Sequence, residues 1–384
     1  MIESARPLTR NTAAPRFLVL GRYIPVACLG LAMLACSPQA RQSSTAPTQP
    51  AAQDQIAPQD KMPGFWREAK RHVSFAGAAS NLTLISRAVG EGMYRHMGPG
   101  FVWAVFGARS QSSYAGVVAV GEGDVDFAMT TPPANARLAM EGKGYFKKAY
   151  PSLRAIAVWP QNDWISCVVL DKFGISSFED MKSKKAALRI ATGPMGTTNG
   201  VGFAVERLLE AYGITVQDVE AWGGKLVEAA TAEESVRKVL SGEADMACHE
   251  AWSAFSRFAE EKIPVKFLTV NDAVLNQIEQ QLGFRRNVIR KGIYGPNVPD
   301  RDIPVVDRSD WVMITSTSLP DDLAYLAAKV AVEDRADLEI LYMGYPENER
   351  SMDLPIKPEM MWKNVGVPLH PGAERYYREA GYIR

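Results

Sequence analysis

The sequence has little of the chemistry on which enzymes and metalloproteins usually depend. It has four cysteines and four histidines in 384 residues, and it contains neither a CxxC pair nor an HExxH motif. The lack of Cys and His at ligand spacing argues against a zinc site, and the lack of a GxSxG turn argues against one common hydrolase type. The sequence therefore favours binding over catalysis, with no metal and no cofactor, although distant residues can also assemble an active site.

The chain also lacks a net charge, because Lys+Arg and Asp+Glu both number 43. Proteins that bind nucleic acid usually carry a basic excess, so we expect no nucleic-acid partner. After the first 36 residues, no apolar run approaches the ~20 residues that span a bilayer. What the chain does have is 47% hydrophobic residues, enough to bury one large core or two moderate ones.

The first 36 residues have the pattern of an export signal. Four arginines, at positions 6, 10, 16 and 22, precede a short apolar run from Tyr23 to Ala35. Such a run suits a signal peptide better than a membrane span. It ends in Met33-Leu34-Ala35-Cys36, which resembles a bacterial lipobox. We therefore predict lipidation of Cys36 and a location in the periplasm or at the cell surface; ordinary signal-peptidase cleavage nearby is the alternative.

Residues 37–62 are rich in Ser, Gln, Ala, Thr and Pro and have almost no large apolar side chains. Such a segment cannot bury enough apolar surface to fold. We predict a disordered tether between the anchor and the folded part. A disordered leader on another kind of exported protein would have the same composition.

From Arg71 onward, strand-like and helix-like stretches alternate, which predicts an α/β protein with mostly parallel sheets. Each half repeats one layout: a strand, a loop of small residues, a helix, and later a glycine followed by another strand. The loops are Ala76–Asn81 and Thr192–Asn199, and we expect Gly121 and Gly242 to end helices in the left-handed conformation. Because ligands bind at the carboxyl ends of strands in open sheets, the repeat predicts two lobes around a central cleft.

The boundaries of these lobes follow from breaks in the apolar pattern. The sequence Trp159-Pro160-Gln161-Asn162 separates two apolar strands, so we place the first crossover there. Residues 63–164 are predicted to form the first part of lobe 1, residues 165–270 lobe 2, and residues 271–384 the return to lobe 1 with a C-terminal tail. Within that return, we expect the strand Trp311–Thr315 and the helix Asp321–Val332 to rejoin lobe 1.

Several small and polar residues at strand ends of the first half are candidates for contact with a ligand. Arg109 is the main candidate to bind a carboxylate, because a guanidinium binds that group in a bidentate manner; an ordinary exposed arginine is the alternative. Hydroxyl groups after the strand Val125–Met129 could add hydrogen bonds. The candidates in this half are Ala78, Ser80, Asn81, Arg109, Ser110, Thr130 and Thr131.

In the second half, the loop Gly193–Asn199 lacks the Lys-Ser/Thr pair of a nucleotide P-loop, so we exclude nucleotide binding. The following helix start could instead attract an anion, or the loop could simply cap that helix. His249-Glu250 ends another strand and could contact an amino or hydroxyl group, or cap a helix. Trp222 could form a cleft wall or belong to the core. The candidates in this half are Gly196, Thr197, Thr198, Asn199, Trp222, His249 and Glu250.

Two cysteines remain in the folded part, Cys167 and Cys248, each inside an apolar, strand-like run. In an oxidising compartment they could form a disulfide. Two buried free thiols are equally compatible with the spacing.

Seven stretches, in this order, resemble the TAXI family of solute-binding proteins, which serve TRAP-type transporters. The resemblance covers roughly residues 71–384 and implies a two-lobed periplasmic binding protein fold (type II-like). It also implies capture of a small organic acid or amino acid and delivery to a TRAP membrane subunit. The stretches are Gly121–Asp124, Leu153–Ala157, Ile175–Lys182, Ala191–Thr197, Leu208–Ile214, Leu319–Tyr325 and Leu369–Tyr377.

The sequence departs from that family in the predicted pocket. The opening loop Ala76–Thr83 is not followed by the family's usual pair of tyrosines, and Arg109 stands in a segment that is usually rich in glycine. The family's usual ligand is therefore not transferred. An ABC-importer subunit, a sensory lipoprotein, and an exported enzyme on the same fold remain alternatives.

Overall fold

The computed structural model describes residues 72–77, 80–107, 114–196, 199–250, 253–346 and 350–384, with only the backbone described at Ser80. The strands are β1 (His72–Gly77), β2 (Val102–Gly107), β3 (Phe127–Thr130), β4 (Leu153–Trp159), β5 (Trp164–Leu170), β6 (Arg189–Thr192), β7 (Lys225–Glu228), β8 (Met246–Glu250), β9 (Val265–Phe267), β10 (Arg286–Ile289), β11 (Ile303–Asp307) and β12 (Trp311–Ser316). The helices are α1 (Ser80–Met97), α2 (Tyr114–Glu122), α3 (Ala134–Glu141), α4 (Phe178–Ser183), α5 (Gly200–Ala211), α6 (Val216–Ala221), α7 (Ala232–Leu240), α8 (Ser256–Glu260), α9 (Asp272–Leu282), α10 (Asp321–Glu333), α11 (Arg335–Met343) and α12 (Pro371–Glu379).

Lobe 1 is built on a five-stranded sheet with the order β2-β1-β3-β12-β4. β1 runs parallel to β2 and β3, whereas β12 runs antiparallel to β3 and β4. Apolar side chains from this sheet and its helices form one core, in which the rings of Phe75 and Phe127 stack with centroids 4.9 Å apart. α10 also packs on α1 and α12 in this lobe, as expected for a helix that returns to lobe 1.

Lobe 2 is built on a seven-stranded sheet with the order β10-β11-β5-β8-β6-β7, and β9 pairs with β5. β6 is parallel to β7 and β8, and the other pairs are antiparallel. Cys167 on β5 lies opposite Cys248 on β8, and the two form a disulfide. The question that the sequence left open is thereby answered in favour of pairing.

Both sheets are mixed, which corrects the expectation of mostly parallel sheets. The parallel pairs lie within the strand–helix–strand units of each half. The antiparallel pairs involve β4, β5, β11 and β12, which precede or follow the two links between the lobes. Because the first link is short, β5 begins on the side of lobe 2 that faces lobe 1. The parallel strands of lobe 2 end on that same side, so β5 runs antiparallel to its neighbour β8.

The first link, Pro160–Asp163, lies where the sequence predicted it, between β4 and β5. The return to lobe 1 comes at Arg308–Asp310, later than the predicted boundary at residue 271. The reason is that β10 and β11 extend the sheet of lobe 2 by antiparallel pairing. The later elements β12 and α10 do belong to lobe 1, as expected.

Of the two glycines predicted to end helices, Gly242 does so and Gly121 does not. Gly242 has a φ of +78° just after α7, as predicted. Gly121 lies inside α2, and Gly123, with a φ of +84°, follows the end of that helix instead. A Cβ at Gly121 would approach the ring of Tyr150 to 2.2 Å, so close packing accounts for the glycine there.

The signal, Cys36 and the tether lie within residues 1–71, outside the described residues. Among the helices in the described ranges, none has both the length and the apolar composition needed to span a bilayer.

Candidate binding site between the two lobes

The carboxyl ends of strands from both lobes meet around one buried arginine. Arg308 lies in the link between β11 and β12, and 4% of its side chain is exposed. Its backbone N–H donates to the carbonyl oxygen of Asp163 in the other link at 3.0 Å. The two links are therefore bonded to each other, and the Arg308 side chain starts from the point where the lobes join.

The guanidinium of Arg308 bonds to both lobes. Nη1 donates to the carbonyl oxygen of Gly200 at 2.9 Å, and Nη2 donates to Oε1 of Glu250 at 3.1 Å, both in lobe 2. Nη2 also lies 3.4 Å from the carbonyl oxygen of Thr131 in lobe 1, and the Thr131 hydroxyl donates to the Arg308 carbonyl at 3.0 Å. These contacts place the end of β3, the start of α5 and the end of β8 around one cation.

Two hydrogen-bonding groups beside this cation have no partner among the described residues. They are Nε of Arg308 and the hydroxyl of Tyr145, which follows α3 in lobe 1 and is 2% exposed. The site of a Cβ on Gly200 would lie 3.4 Å from Nη1 of Arg308 and 3.6 Å from the Tyr145 hydroxyl. Burial raises the pKa of Tyr145, so its hydroxyl stays protonated. Both groups can therefore donate to an acceptor atom of a ligand.

The carboxyl groups of the site have different environments. Asp163 is buried, and Glu250 has a side chain that is 34% exposed. Burial raises the pKa of Asp163 well above its usual value, the charge of Glu250 raises it further, and the Arg308 guanidinium lowers it. The physical cause is that a charged carboxylate loses hydration in a buried site. Glu250 is therefore the exposed carboxylate that can face a polar ligand.

His249 is buried, and its Nδ1 accepts the backbone N–H of Glu250 at 2.9 Å. It lies opposite Ser166 in the pairing of β8 with β5. Burial lowers the pKa of His249, which favours the neutral imidazole. We infer that His249 positions Glu250, because its Nδ1 accepts the backbone N–H of that residue.

Asn199 is the cap of α5, which was one of the two interpretations of its loop. Its Oδ1 accepts the N–H groups of Val201 at 3.0 Å and Gly202 at 2.9 Å. The capping fixes the start of α5, and with it the Gly200 carbonyl that accepts from Arg308. Gly196 has a φ of +103° in the same loop, a conformation that favours glycine.

Two further candidates from lobe 1, Thr130 and Asn81, lie in the described part of the structure. Thr130 is fully buried at the end of β3, next to Thr131. Asn81 is engaged within lobe 1, because its Oδ1 accepts the hydroxyl of Tyr342 at 2.9 Å and its Nδ2 lies 3.5 Å from the hydroxyl of Ser351.

Trp222 follows α6 and packs against the hydrophobic core. In the β6–β7 register Arg189 pairs with Lys225, so Trp222 precedes the amino end of β7. Because Gly200 and Glu250 lie at the opposite, carboxyl edge of that sheet, Trp222 is left out of the candidate site.

Five predicted candidates lie outside the described residues: Ala78, Arg109, Ser110, Thr197 and Thr198. The backbone of Ser80 begins α1, and its side chain lies outside the described part of the structure. Their proposed contacts with a ligand stay predictions from the sequence.

Three residues of the site, Arg308, Asp163 and Tyr145, are not among those predicted from the sequence. For two of them a signal was present: Asp307-Arg308-Ser309-Asp310 and Asn162-Asp163 are polar segments between pairs of apolar strands. Polar residues in such short links lie between the lobes by construction. Tyr145 stands in a loop of mixed composition, where no comparable pattern marks it.

Among the described residues, no group of three or more His, Cys, Asp and Glu side chains has the arrangement of a metal site. The site offers guanidinium, hydroxyl and carboxylate groups, which suits the binding of a small polar molecule by hydrogen bonds.

Solved structures of solute-binding proteins resemble this chain at low identity. PhnD1 from Prochlorococcus marinus (MIT 9301), in complex with methylphosphonate, has a TM-score of 0.45 and 11% identity and covers 82% of this chain and 99% of its own. The alkanesulfonate-binding protein SsuA from Xanthomonas axonopodis pv. citri, bound to MOPS, has a TM-score of 0.38 and 13% identity, with coverage of 72% and 81%. The substrate-binding protein of an amino acid ABC transporter has a TM-score of 0.37 and 13% identity, with coverage of 71% and 98%. Similarity at this level carries no information on the solute of this chain.

A family profile gives the assignment at the level of sequence. The profile of the NMT1-like family matches residues 84–381, which is more than half of the chain and includes lobe 2, both links and most of lobe 1 after β1. The two mixed α/β lobes, joined by two links, have the two-lobed α/β architecture that the sequence predicted. The protein belongs to the NMT1-like family.

Proposed function

We propose that the protein is an extracytoplasmic solute-binding protein that holds a small organic acid or amino acid between its lobes and delivers it to a membrane transporter. One observation carries the proposal: buried Arg308 bonds at once to Thr131 in lobe 1 and to Gly200 and Glu250 in lobe 2. Membership of the NMT1-like family and the two-lobed α/β architecture support the same function. The fold itself does not specify the solute.

The chemistry of the site supports a ligand that carries an acidic group. Nε of Arg308 and the Tyr145 hydroxyl are buried donors without partners among the described residues, and a carboxylate can accept from both. Hydrogen bonds to charged groups contribute ~1.5–3 kcal/mol each. A micromolar Kd corresponds to ~8 kcal/mol, so a few such bonds and an apolar contact suffice. The Glu250 carboxylate could accept from an amino group, which supports amino acids as part of the ligand class.

The proposal also includes a particular membrane partner and a lipid anchor. The TAXI-like stretches of the sequence support a TRAP membrane subunit. An ABC importer is the second candidate, because the fold does not by itself specify the kind of membrane partner. Reconstitution in vesicles separates them, because stimulation of ATP hydrolysis would indicate an ABC importer and uptake driven by an ion gradient would indicate a TRAP transporter. Lipidation at Cys36 would show as a mass increase of the mature chain that a Cys36→Ser variant lacks.

A thermal-shift screen against organic acids, amino acids, phosphonates and sulfonates tests the solute class. A ligand at 100 times its Kd stabilises a protein by ~2.7 kcal/mol, which is measurable. Turnover of a hit by the purified protein would favour the exported enzyme instead.

Arg308→Gln tests the site itself. We expect it to weaken binding of the best ligand at least tenfold in calorimetry, because it removes the positive charge of the site. Circular dichroism checks that the variant is folded. Arg87→Gln is the control, since Arg87 is an exposed residue of α1. Equal affinities of wild type and a folded Arg308→Gln variant would place the ligand elsewhere.

A further inference from the structure

A cavity of about 180 Å³ lies between the lobes beside the second link. Its walls come from three parts of the chain: Pro132–Arg137 in lobe 1, Gly283–Arg285 in lobe 2, and Asn364 with Gly366 near the C-terminus. Asp307, the residue before Arg308, completes it. A cavity of ~150 Å³ can hold a molecule the size of benzene. This one therefore has room for a small anion.

Arg137 is the cation of this cavity whose charge is least compensated. Its guanidinium donates no hydrogen bond within the described part of the chain, and Glu141, one turn further along α3, is paired with Lys143 at 2.9 Å and attracts Arg137 only as a more distant charge. A Cβ at Gly283 would lie 2.1 Å from Nη2 of Arg137. The absence of a side chain at Gly283 therefore lets the guanidinium of lobe 1 lie against the end of α9 in lobe 2.

The other charged groups of the cavity are already paired, so Arg137 is the cation left for a ligand. Arg285 is paired with Asp307 at 2.9 Å and with Asp310 at 2.8 Å. Asp307 has a side chain that is 6% exposed, and it also accepts from Nδ2 of Asn287 and the N–H of Ser309, each at 3.0 Å. The carboxylate in the wall and the guanidinium of Arg285 are thus already bonded within the protein.

The start of α3 adds to the attraction for an anion. The helix has eight residues from Ala134, and Pro133, at the capping position, offers no side-chain bond to its first turn, in which the N–H groups of Asn135 and Ala136 donate to backbone carbonyls. The N-terminus of a helix carries a partial positive charge. It lies in the same wall as Arg137, so the dipole and the guanidinium favour the same sign of ligand.

We propose that this cavity is a second binding site, which takes a small oxyanion, phosphate or a short carboxylate, and bridges lobe 1 to lobe 2. Because Arg137 belongs to one lobe and Arg285 to the other, the site is complete only when the lobes are together. A ligand that binds only this arrangement must favour it. The site involves neither Tyr145 nor the Arg308 side chain, so it does not depend on the proposed solute.

Calorimetry with inorganic phosphate, and separately with acetate, at constant ionic strength tests the site. We expect Arg137→Gln to weaken the tighter of the two at least tenfold, and Arg87→Gln and a folded Arg308→Gln variant to bind it like the wild type. Loss in the Arg308→Gln variant but not in Arg137→Gln would overturn the proposal, because the anion would then occupy the main site. Failure of both anions to bind the wild type would also overturn it. A failed solute screen, in contrast, would count only against the proposed function.

Hydrogen exchange tests whether the anion bridges the lobes. We expect the tighter anion to slow exchange both in residues 134–141 of α3 and in residues 283–288 of lobe 2, and to slow neither in Arg137→Gln. Protection of one of these segments alone would contradict a bridging site.

Discussion

At the scale of single residues, the environment of the charged groups between the lobes is the main result. A buried cation is costly unless it is bonded, and Arg308 meets this requirement with two carbonyl oxygens and one carboxylate. Asp163, in contrast, has a raised pKa because burial and Glu250 outweigh the attraction of Arg308. The site is therefore built from a hydrogen-bonded guanidinium and an acid that disfavours its charged form.

Asp163→Asn should raise the stability of the protein at neutral pH. A carboxyl group whose pKa is raised in the folded state adds stability below its ordinary pKa of 3.8, and this stability is lost as the pH rises through the raised pKa. The Asn variant has no such loss, so its advantage should be absent below pH 3.8 and appear above it. Each unit of pKa difference corresponds to ~1.4 kcal/mol. Urea unfolding across this pH range measures it, and a variant less stable than the wild type at every pH would contradict the assignment.

Asn199→Ala should destabilise the protein by ~1 kcal/mol, because Oδ1 of Asn199 accepts two N–H groups at the start of α5. Asn199→Asp keeps an acceptor at the same place and serves as the matched control. Urea unfolding of both variants checks this. Equal losses in the two variants would show that capping is not the role of the side chain.

At the scale of elements, the two links and the strands beside them organise the molecule. β5 runs antiparallel to β8, β9 and β11, so it lies at the centre of lobe 2 and begins at the first link. Its disulfide to β8 connects this strand to the one that ends in His249 and Glu250. The element that enters lobe 2 and the element that presents the carboxylate are thus covalently joined.

Removal of this disulfide should lower the free energy of unfolding. It joins residues 81 positions apart, and cross-links that close long loops typically contribute ~2–5 kcal/mol by restricting the unfolded chain. The double variant Cys167→Ala with Cys248→Ala should show the loss in urea unfolding without added reductant. The wild type in reductant strong enough to open the bond should approach the same stability. An unchanged midpoint in the double variant would contradict a stabilising role.

At the scale of the whole molecule, the lobes touch through polar and apolar contacts. Besides the bonds of Arg308, the rings of Tyr145 in lobe 1 and Phe203 in lobe 2 meet edge to face with centroids 4.7 Å apart. The lobes also share one apolar cluster and meet where Arg137 lies against Gly283, and the two short links join them. Two lobes joined in this way can close on a ligand about the links by hinge motion.

Solute binding should therefore reduce the radius of gyration in small-angle X-ray scattering, since a ligand that contacts both lobes favours the closed arrangement. The folded Arg308→Gln variant should show a smaller change at the same solute concentration, because its affinity is lower. Arg87→Gln should match the wild type. An increase on solute binding would contradict closure.

Much of the fold followed from local patterns. The small-residue loop before α5, the glycine after α7 and the polar interruption at Pro160–Asp163 each have a local physical cause, and each lies where the sequence predicted. The return to lobe 1 did not follow from the sequence, because β10 and β11 are short strands whose pairing partners are distant in the chain. The prediction of mostly parallel strands was wrong for the same reason, since local hydrophobic patterns do not encode which strand lies next to which.

The sequence by itself determined the α/β alternation, the two similar halves and the strand ends at which Thr131 and Glu250 lie, because periodicity and turn chemistry act within a few residues. Only the tertiary structure decided that Arg308 and Tyr145 join them, that Trp222 lies at the other edge, and that Cys167 pairs with Cys248. These facts depend on how distant strands pair and how the lobes meet. Burial and partners, which give each side chain its charge state and its role, arise only in that arrangement.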